Sequence, residues 1–291
     1  MRPFAYERPA SLAEAFAILA AHGDGHAALL AGGTDLLIRL RDGTIRPHVV
    51  VDVKRIGEIS DAIVERDGRL VVGARTAMTE ILVDERVQRD FPALADAASY
   101  VGSVQIRNRA TLAGNLCNAS PAADTAPALL VYDAVVVAAG PAGERRIPID
   151  DWFVRSGVTT LAPDEIVTAI ELPLPMASRG SSFARRTRRR GHDLASVTLA
   201  CTISPDGLAR VAYGSVGPRP VLAVDRTGAL ADPSAAADAR EAAFTRVFAD
   251  ASPSPTSMRA SPDYRLAMLR VLGARALEQA AARLAAGGSP A

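Results

Sequence analysis

Two cysteines, four histidines, one tryptophan and a single lysine are spread over 291 residues, and each scarcity excludes something. Cys117 and Cys201 are too few for a disulfide framework or for an iron–sulfur cluster held by this chain alone. Their ordinary reading is two small buried residues. His22, His26, His48 and His192 show no metal-ligand spacing such as HExxH; the first two flank Gly23 and Gly25 in a loop and read as surface residues. No metal site is expected. No Gly-x-Ser-x-Gly elbow, paired catalytic carboxylates or activated nucleophile stands out. No apolar run approaches the length that spans a bilayer, and the segment from Met1 to Tyr6 lacks the apolar stretch of a signal peptide. A cytoplasmic protein without a transmembrane segment is the expectation. The formal net charge of +1 is too small to select nucleic acid or a membrane surface. The basic charge is almost entirely arginine, and the one lysine, Lys54, is assigned no function.

What the sequence does have is a pair of glycine-rich segments about eighty residues apart. The first is Ala31, Gly32, Gly33, Thr34, Asp35 and Leu36, after the apolar run Ala27–Leu30 that reads as a buried strand. A strand-to-helix turn built on two glycines exposes backbone N–H groups where the potential is positive, which suits a phosphate. Glycine is needed there because a β-carbon blocks close approach and the turn favours φ > 0. The second segment, Thr111, Leu112, Ala113, Gly114, Asn115 and Leu116, offers another small-residue turn with hydrogen-bonding side chains at Thr111 and Asn115. Converging, the two turns would clamp a pyrophosphate from both sides. Asp35 reads better as a helix N-cap than as a ligand, because a carboxylate repels a diphosphate.

Around these segments the chain divides. Ser11–Glu14 is a capping box opening a helix that Gly23 stops. Strands Ala27–Ala31 and Val49–Val53 complete a small α/β unit. A hairpin, Asp61–Glu65 and Arg69–Val72, turns at Asp67-Gly68. Helical patterns at Thr79–Asp84 and Ala93–Val101 follow, then an apolar run at Ala126–Leu130 and strands at Val135–Ala138 and Ile166–Leu172. Pro173 to Gly180 reads as a domain boundary. Beyond it, Ser182–Thr187, Val197–Ile203 and Ala209–Ser215 read as antiparallel strands, followed by alanine-rich helices near Ala235–Phe248 and Asp263–Ala285 whose apolar residues form core.

In order and with their flanks, these segments resemble the flavin-binding subunit of the molybdenum hydroxylases, the family of the aerobic carbon monoxide dehydrogenase medium subunit and the xanthine dehydrogenase flavin domain. Ala31–Leu36, the stretch from Thr111 to Leu130, Asp164–Pro173, Tyr213–Pro218 and Ser261–Arg265 carry the resemblance, which covers nearly the whole chain. It implies an α+β fold: a two-part PCMH-type FAD-binding domain over residues 1–176, with small α/β subdomains at about 1–54 and 55–176, then a C-terminal domain of antiparallel sheet plus helices over 177–291. It implies non-covalent FAD, held by Ala31 to Leu36 and by Thr111, Ala113, Gly114 and Asn115. Asp124, otherwise an N-cap, matches a position that holds the adenosine ribose. Val167 matches one that contacts the cofactor through its backbone, and Arg185 one where lysine commonly approaches the flavin. Arginine keeps the charge with different reach. His192 and Asp193 would sit where an electron acceptor arrives.

The resemblance further implies partners: a large molybdenum-cofactor subunit and a small subunit with 2Fe-2S clusters, as a dimer of heterotrimers. Electrons would pass from those clusters to an external acceptor such as NAD, a quinone or oxygen. Two alternatives stand beside it. One is a self-contained, non-covalent flavin oxidase of the same architecture. The other is a flavin-free scaffold or RNA-binding protein using the run Arg185–Arg190, whose plain reading is a solvated basic loop with Phe183 as the one nearby aromatic.

Overall fold

The computed structural model describes residues 2–176, 178–189, 191 and 193–287. The first unit runs β1 (Ala5–Glu7), α1 (Leu12–His22), β2 (Ala27–Leu30), α2 (Leu36–Asp42) and β3 (Val49–Asp52), and its parallel sheet has the order β1-β3-β2. Val49, Val50, Val51 and Asp52 are all buried, as a central parallel strand requires. The Ser11 hydroxyl caps α1 by accepting from the Glu14 N–H, while the Glu14 carboxylate accepts from Ala10 rather than from Ser11. The expected capping box is therefore shifted by one residue on its return arm.

The second unit contains β4 (Ile63–Arg66), β5 (Arg69–Gly73), α3 (Met78–Val83), α4 (Glu85–Asp90), α5 (Pro92–Ser99), α6 (Val104–Arg107), α7 (Leu112–Asn118), α8 (Thr125–Val131), β6 (Val135–Gly140), β7 (Gly143–Pro148), α9 (Ile149–Trp152), β8 (Phe153–Arg155), β9 (Val158–Thr159) and β10 (Ile166–Pro173). Five strands form an antiparallel sheet in the order β4-β5-β10-β6-β7. The β4–β5 hairpin turns at Asp67 and Gly68, both with positive φ, the conformation a two-residue hairpin turn demands. Thr111 to Leu116, expected as a turn, instead opens α7: Thr111 is its N-cap, and its hydroxyl accepts from the Gly114 N–H at 2.9 Å.

The third unit is an antiparallel sheet of β11 (Gly180–Arg186), β12 (Val197–Ile203), β13 (Ala209–Gly214) and β14 (Val221–Asp225), covered by α10 (Ala237–Val247) and α11 (Pro262–Ala285). All seven residues of β12 are buried because the sheet is covered on both faces. Ala200 and Ala212 join a core that runs back through the first two units, and α8 packs on that side. Leu199, Cys201, Val211 and Tyr213 point the other way, into a second core with α10 and α11, as the two-residue period of a strand dictates. Arg283 of α11 ties this unit to the second one, donating to the Asp96 carboxylate and to the Ser181 carbonyl, each at 2.8 Å.

The long helix lies directly on β11. A Cβ on Gly180 would stand 1.8 Å from the Ala280 carbonyl oxygen, so strand and helix backbones meet without a side chain between them, and the Ser182 hydroxyl donates to the Ala276 carbonyl at 2.6 Å. Gly180→Ala should therefore lower stability by about 1–3 kcal/mol or more, the usual cost of overpacking. Chemical denaturation of the variant measures this, and an unchanged midpoint would contradict the close contact.

Candidate functional site

β2 and β3 run parallel with Leu30 opposite Asp52, so the loops that leave them emerge side by side. The loop after β2 is the first glycine segment. Gly33 has φ +78°, a conformation that favours glycine. The first intrahelical bonds of α2 run from Leu37 to the Gly33 carbonyl and from Arg39 to the Asp35 carbonyl. Helix geometry leaves the N–H groups of Thr34, Asp35 and Leu36 without intrahelical acceptors. Asp35 stands at the N-cap position, yet its side chain makes no capping bond. The expected capping role is not the one it plays; its carboxylate accepts from the Asn118 side chain at 3.4 Å, on the second segment.

The two glycine segments do meet. A Cβ on Gly32 would stand 2.0 Å from the Arg109 carbonyl oxygen and 3.1 Å from Ala110 Cα, immediately ahead of Thr111. Thr111 is buried, as is Ala113 in the first turn of α7. Asn115 is turned toward α8, where its side-chain oxygen accepts from the Thr125 hydroxyl at 2.7 Å. Gly114 keeps its N–H on Thr111, and Leu112 is fully buried beside the bridge of Thr111 with Ala77.

Cys117 and Asp35 are both accessible to solvent, yet surrounding protein disfavours the charged form of each, pushing the Asp35 carboxyl up and the Cys117 thiol up to about 12. Val167, buried on β10, precedes a break in the ladder with β6 between Val167 and Ala169; such a bulge leaves backbone groups outside the regular pairing. β10 packs against α7, the helix that the second segment opens.

Asp124 and Arg185 form one buried ion pair, Nη1 to Oδ2 at 2.9 Å, with side chains 12% and 8% exposed. Asp124 occupies the N-cap position of α8 without making a capping bond. Its Oδ1 is buried with no hydrogen-bond partner, as is Nε of Arg185. The Arg185 guanidinium also donates to the Tyr100 and Asp193 carbonyls and lies 5.2 Å over the Tyr100 ring. Burial pushes the Asp124 carboxyl up to about 7, against the opposing pull of Arg185.

The basic run is not a free patch. Arg186 donates to the Tyr264 hydroxyl, and Arg188 and Arg189 both pair with Asp193. Arg190 and His192 lie outside the described residues, and the expectation for His192 goes untested with them. Sequence reasoning missed Lys54, Arg75 and Arg109, which line a cavity of about 90 Å³ with Ala31, Gly32 and Thr111. A signal existed: Lys54 follows the second of two parallel strands, at the end where the glycine turn leaves the first.

Comparison with known proteins identifies the family. Residues 2–175 match the family model described as FAD binding domain in molybdopterin dehydrogenase, and residues 182–280 that described as CO dehydrogenase flavoprotein C-terminal domain. The chain is 33% identical over 288 residues to the xanthine dehydrogenase FAD-binding subunit of Escherichia coli, covering 97% of both. It is 30% identical over 286 residues to the carbon monoxide dehydrogenase medium chain of Hydrogenophaga pseudoflava, covering 97% of this chain and 98% of that one. Among solved structures it resembles a chain of carbon monoxide dehydrogenase from Hydrogenophaga pseudoflava with a TM-score of 0.88 and 31% identity, over 97% of this chain and 99% of that one. A chain of quinoline 2-oxidoreductase from Pseudomonas putida 86 gives a TM-score of 0.87 and 28% identity, over 97% and 98%.

The raised carboxyl of Asp124 has a measurable consequence. Its value of about 7, against an ordinary 3.8, means that the folded chain binds this proton more tightly than the unfolded chain does. The resulting stability is complete below about pH 4 and is lost as pH rises through about 7. The melting temperature of wild type relative to Asp124→Asn should therefore fall across that window in the ligand-free chain. A difference independent of pH would show that Asp124 stays ionised throughout.

Proposed function

The chain belongs to the family of FAD-binding subunits of molybdopterin dehydrogenases, and from that premise we propose that it is the electron-transferring subunit of a molybdenum hydroxylase complex. FAD is its cofactor. The observation that carries the reading is the contact of Gly32 with the Arg109 carbonyl, which seats two N–H-bearing helix starts against each other, as a diphosphate between them requires. The remaining residues fit the same cofactor. Asp124 Oδ1 and Arg185 Nε are buried without partners, a costly state that a bound polar ligand relieves.

In this reading Thr34, Asp35 and Leu36 present backbone N–H groups to one side of the diphosphate, and Ala113 to the other. The Asp124–Arg185 pair modifies the residue roles that the resemblance implied. Side chains 2.9 Å apart cannot serve the adenosine ribose and the isoalloxazine separately, because the diphosphate and ribityl chain lie between those groups. We assign both to the flavin end: Asp124 Oδ1 accepts a ribityl hydroxyl, and Arg185 sets a positive potential beside the ring. Val167 lends backbone at the bulge. Non-covalent binding is supported by the histidines: His26 and His48 stack on each other with centroids 4.4 Å apart, at the end of β2 and β3 away from the glycine turn.

Bound FAD would supply a two-electron store between single-electron clusters and a two-electron acceptor. The partners would be a large molybdenum-cofactor subunit and a small 2Fe-2S subunit, paired as a dimer of heterotrimers in the cytoplasm. The names of the relatives support the existence of partner subunits, since each is a subunit or a medium chain. NAD, a quinone or oxygen would accept the electrons.

The test is an absorption spectrum of the assembly purified from its host, before and after acid precipitation. Flavin bands released into the supernatant, with iron–sulfur absorbance and molybdenum in the intact sample, are the expected result. An intact assembly without flavin would overturn the reading, and flavin retained in the precipitate would overturn its non-covalent part.

A further inference from the structure

The single lysine of the chain is held in place by a buried carboxylate. Asp52, the last residue of β3, is 1% exposed. Its Oδ1 accepts from the Lys54 ammonium at 2.6 Å and from the Lys54 N–H at 3.0 Å, and its Oδ2 accepts from the Tyr6 hydroxyl at 2.5 Å. Arg8 stands 4.0 Å from the same carboxylate. Burial alone would raise the Asp52 carboxyl, but the hydrogen bonds from Lys54 and Tyr6 outweigh it and hold the group below its usual value. Asp52 is therefore ionised. Its geometry aims Lys54 at the glycine turn, where Nζ donates to the Ala31 carbonyl at 3.3 Å.

A second cation stands beside it. Arg75 donates from Nη1 to the Lys54 carbonyl at 2.5 Å, and its Nη2 lies 3.5 Å from Asp61, whose side chain is 73% exposed. Its Nε is buried without a partner, although a buried donor left unpaired costs stability. Lys54 has three N–H donors, of which Asp52 and Ala31 take two. Both residues line the cavity of about 90 Å³ beside Gly32 and Thr111. That volume is well below the roughly 300 Å³ at which whole-ligand pockets begin, so it suits a phosphate-sized portion of a larger ligand. With Arg109 at its rim the cavity holds three cations against Asp52 and the exposed, solvent-screened Asp61.

We propose that Lys54 and Arg75 form a side-chain anion pocket for the diphosphate of the bound dinucleotide, with Asp52 as the positioning residue, and that this pocket makes the chain select FAD over phosphate-free flavin. The proposal rests on the FAD reading above. Backbone N–H groups of the two helix starts orient the diphosphate, and the two side chains supply the net positive charge that those groups lack. A lysine placed only to neutralise Asp52 would predict no such selectivity.

The experiment uses the whole assembly stripped of flavin, titrated with FAD and with riboflavin and followed by quenching of flavin fluorescence, with ADP as a competitor. Lys54→Met and Arg75→Gln are each expected to weaken FAD about tenfold or more, the loss of a charge-assisted hydrogen bond. Riboflavin should change by less than about twofold, ADP should lose its competition, and Lys54→Arg should restore most of the FAD affinity. Unchanged FAD binding in both variants, or a parallel loss of FAD and riboflavin, would overturn the pocket while leaving the FAD reading intact. A wild-type assembly that takes up no FAD would overturn both. Should Lys54→Met fail to assemble, Arg75→Gln decides alone, because Arg75 is not bound to the buried carboxylate.

Discussion

A β-carbon at position 32 would lie 2.0 Å from the Arg109 carbonyl oxygen, closer than any side chain can come, and the rest of the site follows from that constraint. Because nothing projects from Gly32, the loop leaving β2 can rest on the strand-like segment leading into α7. Two helices from different units then start beside each other. Gly33, with φ +78°, turns the chain out of the parallel sheet and into α2. The arrangement brings the start of α2, whose first N–H groups have no intrahelical acceptor, close to the segment leading into α7. Such donors suit a phosphate.

Charge reinforces the seam between the second and third units, where Asp124 with Arg185 joins α8 to β11 and Asp96 with Arg283 joins α5 to α11. Within the first unit, Asp52 holds Lys54, whose ammonium reaches the Ala31 carbonyl of the glycine turn. Buried or half-buried ion pairs are weak contributors to stability in themselves, because desolvation offsets their attraction. Their value here is geometric. The Asp124–Arg185 and Asp96–Arg283 pairs fix the relative position of the elements they join, and Asp52 fixes the aim of Lys54.

Much of this was legible in the sequence, and the exceptions have physical causes. The apolar run of β12 and the alternation of β11 and β13 carried the third unit's sheet, and Asp67-Gly68 marked the β4–β5 hairpin of the second unit because few other dipeptides adopt that turn. β1 was missed because its three residues are exposed and form a strand only by pairing with β3. β7, Gly-Glu-Arg-Arg-Ile-Pro, was missed because an edge strand carries charge rather than apolar alternation. At the site, the glycines and Thr111 announced themselves by composition. Lys54 and Arg75 did not, since a lone cation becomes informative only once the sheet order puts the end of β3 beside the end of β2. In the arginine run, Arg188 and Arg189 stay solvated beside Asp193, as its plain reading expects, whereas the burial of Arg185 against Asp124 shows only in the structure.

The central claim is that the two glycine segments together hold the diphosphate of FAD, and a crystal structure of the chain bound to FAD tests it most directly. The account predicts the diphosphate between Gly32–Leu36 and Thr111–Asn115, with the flavin end toward Asp124 and Arg185. A dinucleotide seated elsewhere, or one whose diphosphate faces solvent while only the adenine is bound, would contradict it.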